Sequence, residues 1–172
     1  AEVTAAQIND QSMLGSLVSL KGTIESFEEA NGLIQTIMVK DANGDVARVF
    51  IDGYITTEKE VEGCKVGAEI QAIGLASYDD TFNAPEGPFP RIRIRNRADI
   101  LCGDLVPSDP ADVENAINEL PEVITAEDEE AIVKARSLYN RLSAEDKEAL
   151  PAEFLPKLQA AEAKLTIVKA EA

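Results

Sequence analysis

The stretch RIRIRNRADI, residues 91–100, decides the fold class. Apolar and arginine side chains alternate along it, and this is the pattern of a β-strand with one buried and one solvated face. The apolar positions are Ile92, Ile94, Ala98 and Ile100, and the basic positions are Arg91, Arg93, Arg95 and Arg97. The pattern predicts one continuous strand over residues 91–101.

Four stretches upstream also have the composition of strands. They span residues 17–25, 33–40, 46–51 and 68–78. Segments 28–32 and 41–45 contain Asn-Gly and predict hairpin turns. The polar segment 54–63 predicts one short helix between the third and fourth strands. Five strands with a helix at this place follow the order of an OB barrel, and another small barrel or sandwich is the alternative.

The pattern changes to helical periodicity after Gly103. Asp109 and Pro110 form a typical helix start, because Asp caps the free N–H groups and Pro fits the first helical position. Three apolar stripes with helical spacing follow, at residues 113–120, 132–142 and 154–168. The sequence therefore predicts an α+β chain, mainly β and then α. A five-stranded OB-like β-barrel (residues 1–104) is followed by a three-helix bundle (residues 105–172).

The charge is strongly acidic and evenly divided. The chain has 16 basic and 32 acidic residues, a net charge of -16. Up to Val106 there are 9 basic and 17 acidic residues, and beyond it 7 and 15, so each half has a net charge of -8. A nucleic-acid binder normally has a basic footprint. The balance therefore predicts that nucleic acid is not a partner at physiological salt.

The residue types present argue against catalysis. The chain has no histidine, which removes the usual general base and the commonest metal ligand. Two cysteines alone do not complete a structural zinc site. We therefore expect no enzymatic activity, no metal and no cofactor. No apolar run approaches the roughly 18 residues of a membrane span, so we expect no membrane insertion.

Two groups of motifs carry a resemblance to a known class of protein. GSLVSLKGTIES, VKDANGDVARVFIDGYI and RIRIRNRADI together resemble the OB-like modules of large secreted and surface proteins of Gram-positive bacteria. INELPEVITAEDEEAIVKARSLYNRLSAEDKEAL with KLQAAEAKL is similar to the three-helix repeats of such proteins. The resemblance implies an extracellular location and an accessory segment of a longer polypeptide. It supplies no catalytic residues.

Two candidate sites stand out in the barrel sequence. The proline-containing loop gathers aromatic rings and hydrogen-bonding groups suited to a sugar, namely Tyr78, Asp80, Phe82, Asn83 and Phe89. Its alternative role is to cap the barrel end. Arg91, Arg93 and Arg95 form an arginine row that can bind an anion, because guanidinium offers a planar fork of donors. The alternative is a solvated face paired with Asp and Glu.

A disulfide between Cys64 and Cys102 is expected from the extracellular resemblance, since paired cysteines are normally bridged in an oxidising compartment. The proposed hairpin of strands four and five agrees, because it places the beginning of one opposite the end of the other. Two buried free thiols are the alternative.

These observations leave three hypotheses for the function. The first is a non-catalytic spacer or ligand-binding module of an extracellular or cell-surface protein, monomeric within a longer chain. The second is an accessory domain that binds glycan or nucleic acid for an extracellular hydrolase. The third is a module that binds a host surface protein through the helical bundle.

Overall fold

The computed structural model describes residues 1–52, 55, 63–79 and 89–171. The chain divides into two compact units, Ala1–Val106 and Pro107–Ala172. The helix expected within residues 54–63 lies almost wholly outside the described residues.

The first unit is a closed barrel. A short helix α1 (Ala5–Asn9) precedes the strands. These are β1 (Leu17–Ala30), β2 (Leu33–Lys40), β3 (Val46–Phe50), β4 (Glu69–Asp79), β5 (Phe89–Ile94) and β6 (Ile100–Cys102). Pairing runs β1–β2–β3–β5–β4, and β4 returns to β1, so five strands form a ring. Only β3 and β5 are parallel among these pairs. The predicted fold class, with an OB-like barrel followed by helices, is confirmed.

Closure of the ring depends on Gly22. The segment Leu17–Thr23 of β1 pairs with β4, and Thr23–Ala30 pairs with β2, so β1 changes partner beside this glycine. A Cβ atom at Gly22 would clash with the main-chain carbonyl of Lys40. Glycine therefore lets the β1 and β2 backbones approach closely where the barrel turns its corner.

Isoleucine and valine fill the barrel because their branched side chains suit a pleated, buried surface. The fully enclosed members include Leu20, Ile24, Ile37, Val49, Ile70 and Ile92. Helix α1 closes one end, adding Ala5 and Ile8 to the same core. Its start is fixed by Thr4, whose hydroxyl accepts the Gln7 N–H, and the Ala5 N–H donates to Asp41 at 2.8 Å.

The strand predicted over residues 91–101 is interrupted. Strand β5 ends at Ile94, and a 3₁₀ turn (Arg97–Asp99) leads into β6. The cause is Asp99, which is 6% exposed and accepts the main-chain N–H groups of Arg95 and Asn96 at 3.0 and 3.2 Å. The assignment of Ala98 to the buried face was wrong, because that residue is exposed.

Strand β1 is longer than its sequence indicates. Residues 28–30 were expected to form a turn, but they belong to the strand, and within the expected turn only Asn31 and Gly32 have positive φ, 55° and 77°. Register shifts between Ile24 and Ser26 and between Glu28 and Glu29 break the apolar alternation. Because of these irregularities, strict alternation of apolar and polar residues does not predict where β1 ends.

The second unit contains the helices α2 (Pro110–Asn118), α3 (Glu129–Asn140), α4 (Ala144–Ala149) and α5 (Phe154–Glu171). The three longer helices correspond to the three predicted stripes, and α4 is an additional six-residue helix. Its start is capped by the Ser143 hydroxyl, which accepts the Asp146 N–H at 3.0 Å. The core includes Val113, Ile117, Ile132, Ala135, Leu158 and Ala161. No helix in the described part of the chain combines the length and apolar character needed to span a membrane.

Candidate ligand-binding face

The parallel contact between β3 and β5 brings polar and aromatic side chains together on the outside of the barrel. Val49 lies opposite Ile92, and Phe50 opposite Arg93. Val49 and Ile92 are buried in the core, so their neighbours in each strand point outward. We call this outward surface the β3–β5 face. It consists of Arg48, Phe50 and Asp52 from β3 and its end, and Phe89, Arg91 and Arg93 from β5.

Two arginine–phenylalanine contacts join the strands across this face. The guanidinium carbon of Arg48 lies 4.5 Å from the centre of the Phe89 ring. The guanidinium carbon of Arg91 lies 3.9 Å from the centre of the Phe50 ring. Both distances are within the range of cation–π attraction. Arginine and aromatic groups therefore alternate between the two strands, and each strand supplies one of each.

An ion pair continues the same cross-strand series. A nitrogen of Arg93 lies 2.8 Å from an oxygen of Asp52. This pair has the same offset between the strands as the two arginine–phenylalanine contacts, so the three contacts form successive rungs. At this end of the face Arg93 is 52% exposed, whereas Arg91 is 16% exposed. The arginine that a ligand reaches most easily is thus Arg93.

Each arginine of the predicted row has a carboxylate partner. Arg91 pairs with Asp79 at 3.0 Å, Arg93 pairs with Asp52, and Arg95 pairs with Asp99 at 2.8 Å. The structure thus contains the paired arrangement that was the alternative to anion binding. An anion-binding role for Arg91, Arg93 and Arg95 stays a prediction.

Arg95 is held more rigidly than its exposure suggests. Its Nε and one terminal nitrogen donate to the two oxygens of Asp99 at 3.1 and 2.8 Å. Donation from the Arg95 side chain lowers the pKa of the Asp99 carboxyl, and main-chain N–H groups lower it further. The Arg95 side chain is 54% exposed and that of Asp99 only 7%. A buried anchor therefore fixes a guanidinium at the surface.

The predicted sugar-binding set falls partly outside the described residues, namely Asp80, Phe82 and Asn83. Tyr78 and Phe89 are described, and they do not share a face. In β4, Asp79 is the residue directly opposite Phe89. Tyr78 lies on the other face of β4, the face of the buried Ala76 two residues earlier. Tyr78 is 40% exposed. Phe89 instead contacts Arg48, and Phe50 contacts Arg91; neither Arg48 nor Phe50 was predicted as a site residue.

The structure joins Cys64 and Cys102 by a disulfide, with their Cα atoms 5.0 Å apart. Cys102 is buried in the barrel core opposite Ile70 of β4. The bond joins the segment before β4 to the end of β6. In the strand order, β4 separates β6 from the β3–β5 face.

The helical unit has a concavity of its own, of about 610 Å³, between α5 and the connection from α2 to α3. Lys157 and Lys164 border it and are held by Asn118 and by the carbonyl of Glu122 at 3.2 and 3.0 Å. Val123, also in its lining, is 78% exposed. Protein binding through this unit stays a prediction.

No family model and no curated protein matches the chain. Solved structures are similar at low identity. An asparaginyl-tRNA synthetase from Entamoeba histolytica, in complex with asparaginyl-adenylate, matches with a TM-score of 0.44 and 17% identity over 72% of this chain and 27% of that one. An aspartyl-tRNA synthetase from the same organism matches with a TM-score of 0.43 and 6% identity over 81% and 27%.

A putative aspartyl-tRNA synthetase from Leishmania major Friedlin matches with a TM-score of 0.42 and 6% identity over 68% of this chain and 23% of that one. The chain thus spans about a quarter of the length of each of these synthetases.

These three likenesses to tRNA synthetases contradict the prediction that nucleic acid is not a partner. The physical error lies in using the net charge of -16. Charges more than about 8 Å apart are largely screened at physiological salt, so distant carboxylates do not decide binding at one face. On the β3–β5 face itself the arginines are matched by the carboxylates that pair with them.

Proposed function

We propose that the chain is a non-catalytic binding module that holds a short single-stranded nucleic acid on the β3–β5 face. The observation that supports this most is the pair of alternating contacts, Arg48 on Phe89 and Arg91 on Phe50. OB barrels bind oligonucleotides and oligosaccharides on the outside of strands two and three and on the neighbouring loops. The β3–β5 face shares β3 with that position, and its second strand, β5, lies on the other side of β3 from β2.

Stacking would supply most of the affinity. Unpaired bases stack on aromatic rings and on guanidinium planes, and each stacked base contributes about 1–3 kcal/mol. Because Arg48, Arg91 and Arg93 each have a carboxylate beside them, their attraction for phosphate is partly cancelled. We therefore expect weaker salt dependence than a basic nucleic-acid binder has.

The proposal also places the module in a longer extracellular polypeptide, where it holds substrate for a catalytic domain elsewhere in that polypeptide. The disulfide supports an oxidising compartment. The resemblance to modules of Gram-positive surface proteins supports the same setting. The absence of histidine supports a role in binding rather than in catalysis.

The test is titration calorimetry of the full chain with an unlabelled oligothymidylate of about eight nucleotides, within the usual site size of an OB fold. We expect measurable binding, and a loss of about tenfold in Phe89→Ala, since one stacked base is lost. Tyr139→Ala is the matched control, because Arg136 also lies over that ring but in the helical unit.

No binding by the unmodified chain, or equal affinity in the two variants, would reject nucleic acid as the ligand of this face. A glycan screen of the same protein checks the other class of ligand that OB barrels bind. Binding to an oligosaccharide without binding to the oligonucleotide would replace one ligand class by the other.

A further inference from the structure

A concavity of about 390 Å³ lies at the exposed end of the β3–β5 face. It is lined by Asp52, Ile55, Leu75, Arg93, Ile94 and Arg95. Its volume is within the range of pockets that hold small ligands, roughly 300–1,000 Å³. It adjoins the third rung, so a strand bound along the face reaches it directly.

The floor of the concavity is apolar. Leu75 of β4 lies opposite Arg93 of β5 and is 41% exposed, so its side chain is open to a ligand. Ile94 continues the apolar surface toward the core. Such a floor suits a flat ring, which can lie against it while its edge stays available for hydrogen bonds.

The rim of the concavity offers both donors and an acceptor. Arg95 is fixed by Asp99, and Arg93 contacts Asp52, so two guanidinium groups are already positioned before any ligand arrives. Asp52 adds a carboxylate to the same lining. A carboxylate has lone pairs for more than one donor, and a guanidinium has donors beyond those that one carboxylate uses.

We propose that this concavity selects a guanine base, a specificity that rests on the function proposed above. Guanine presents two acceptors, O6 and N7, which arginine binds in a bidentate manner. On the adjoining edge it presents N1–H and N2–H₂, two neighbouring donors, which the Asp52 carboxylate can accept with lone pairs other than the one that Arg93 uses. Adenine has an amino donor, N6–H₂, in place of the O6 acceptor, and thymine and cytosine offer a smaller ring to Leu75.

The first experiment compares four oligonucleotides of about eight nucleotides. One is a plain oligothymidylate, and the other three end in a single guanine, adenine or cytosine. Calorimetry on the full chain is expected to show about tenfold tighter binding for the guanine form. Asp52→Asn should abolish this preference, because one acceptor oxygen is replaced by an NH₂ group that donates and therefore opposes a guanine donor. Asp104→Asn, an exposed barrel position outside the concavity, should retain it.

Equal affinity for all four oligonucleotides, or a preference for another base, would overturn the guanine assignment even if binding itself is strong. If Asp52→Asn proves unfolded by circular dichroism, Leu75→Ser replaces it, and an unchanged guanine preference in that variant would also overturn the proposal.

A second experiment separates this proposal from the function on which it rests. Free guanosine and adenosine 5′-monophosphates are titrated into the isotope-labelled full chain and followed by NMR. If no oligonucleotide binds, larger shifts at the Leu75 and Ile94 amides with the guanosine nucleotide still support a guanine pocket. The absence of shifts with both nucleotides rejects it.

Discussion

The barrel and the helical bundle are stabilised in different ways. In the barrel, contacts between residues far apart in sequence decide the structure. The backbone at Gly22 lies close against the main-chain carbonyl of Lys40, and Cys64 is bonded to Cys102. In the bundle, local hydrogen bonds cap the starts of α2 and α4, and just before α3 Thr125 donates to Asp128 at 2.7 and 2.8 Å. The comparison indicates that the units should respond separately to perturbation, and that a cross-link matters only to the barrel.

The largest expected effect comes from removing the disulfide. Cys64→Ala with Cys102→Ala frees a segment closed over a separation of 38 residues, which should destabilise the barrel by about 4 kcal/mol. Hydrogen exchange of the full chain in urea, read peptide by peptide, measures both units at once. We expect faster exchange in the barrel peptides only. Equal acceleration in the bundle peptides would mean that the two units unfold together.

The reverse experiment perturbs the bundle. Leu158 is 0% exposed at the centre of the helical core, so Leu158→Ala should destabilise that unit by about 3 kcal/mol. Ile167→Ala on the same helix is the matched control, because Ile167 is 58% exposed and its loss should cost under about 0.5 kcal/mol. The same exchange measurement should leave the barrel peptides unchanged in both variants. A faster barrel in Leu158→Ala would contradict independence.

A smaller and pH-dependent effect is expected at Asp99. Its folded-state pKa is lowered by Arg95 and main-chain donors, so its contribution is present above the unfolded pKa of about 3.9 and disappears as the pH falls through the folded value. Asp99→Asn should therefore destabilise the barrel by about 2 kcal/mol at neutral pH and by less in acid. Urea midpoints of the barrel peptides at both pH values measure this, with Asp104→Asn as the control. A loss that is the same at both pH values would show that the charge is unimportant.

The difference between the units also explains which helices and strands could be predicted from the sequence. The helices were predictable because capping residues and apolar stripes act over short distances, and even the extra helix α4 begins at the Ser143 and Asp146 signal. In β5 the alternation was correct as far as Ile94. Beyond it Asp99 turned the chain through hydrogen bonds to Arg95 and Asn96 that alternation does not encode.

The candidate site shows the same limit. Arg91 and Arg93 were recognised, whereas Arg48 and Phe50 were not. Their role appears only when β3 and β5 lie side by side in parallel, with Phe50 opposite Arg93. That register results from closing the whole barrel, since the two strands are separated in sequence by β4. A basic and an aromatic residue alternating in β3 was the available signal, but it identifies no partner strand.

The disulfide has a mechanical consequence for a module under tension. The bond closes a loop over a separation of 38 residues, and an extended chain spans at most about 3.3–3.6 Å per residue. A pull on both ends of the chain therefore cannot draw out roughly 130 Å of its contour length. Strands β4 and β5 lie inside that loop, so a pull on the chain ends does not extend the segment that contains Arg91 and Arg93.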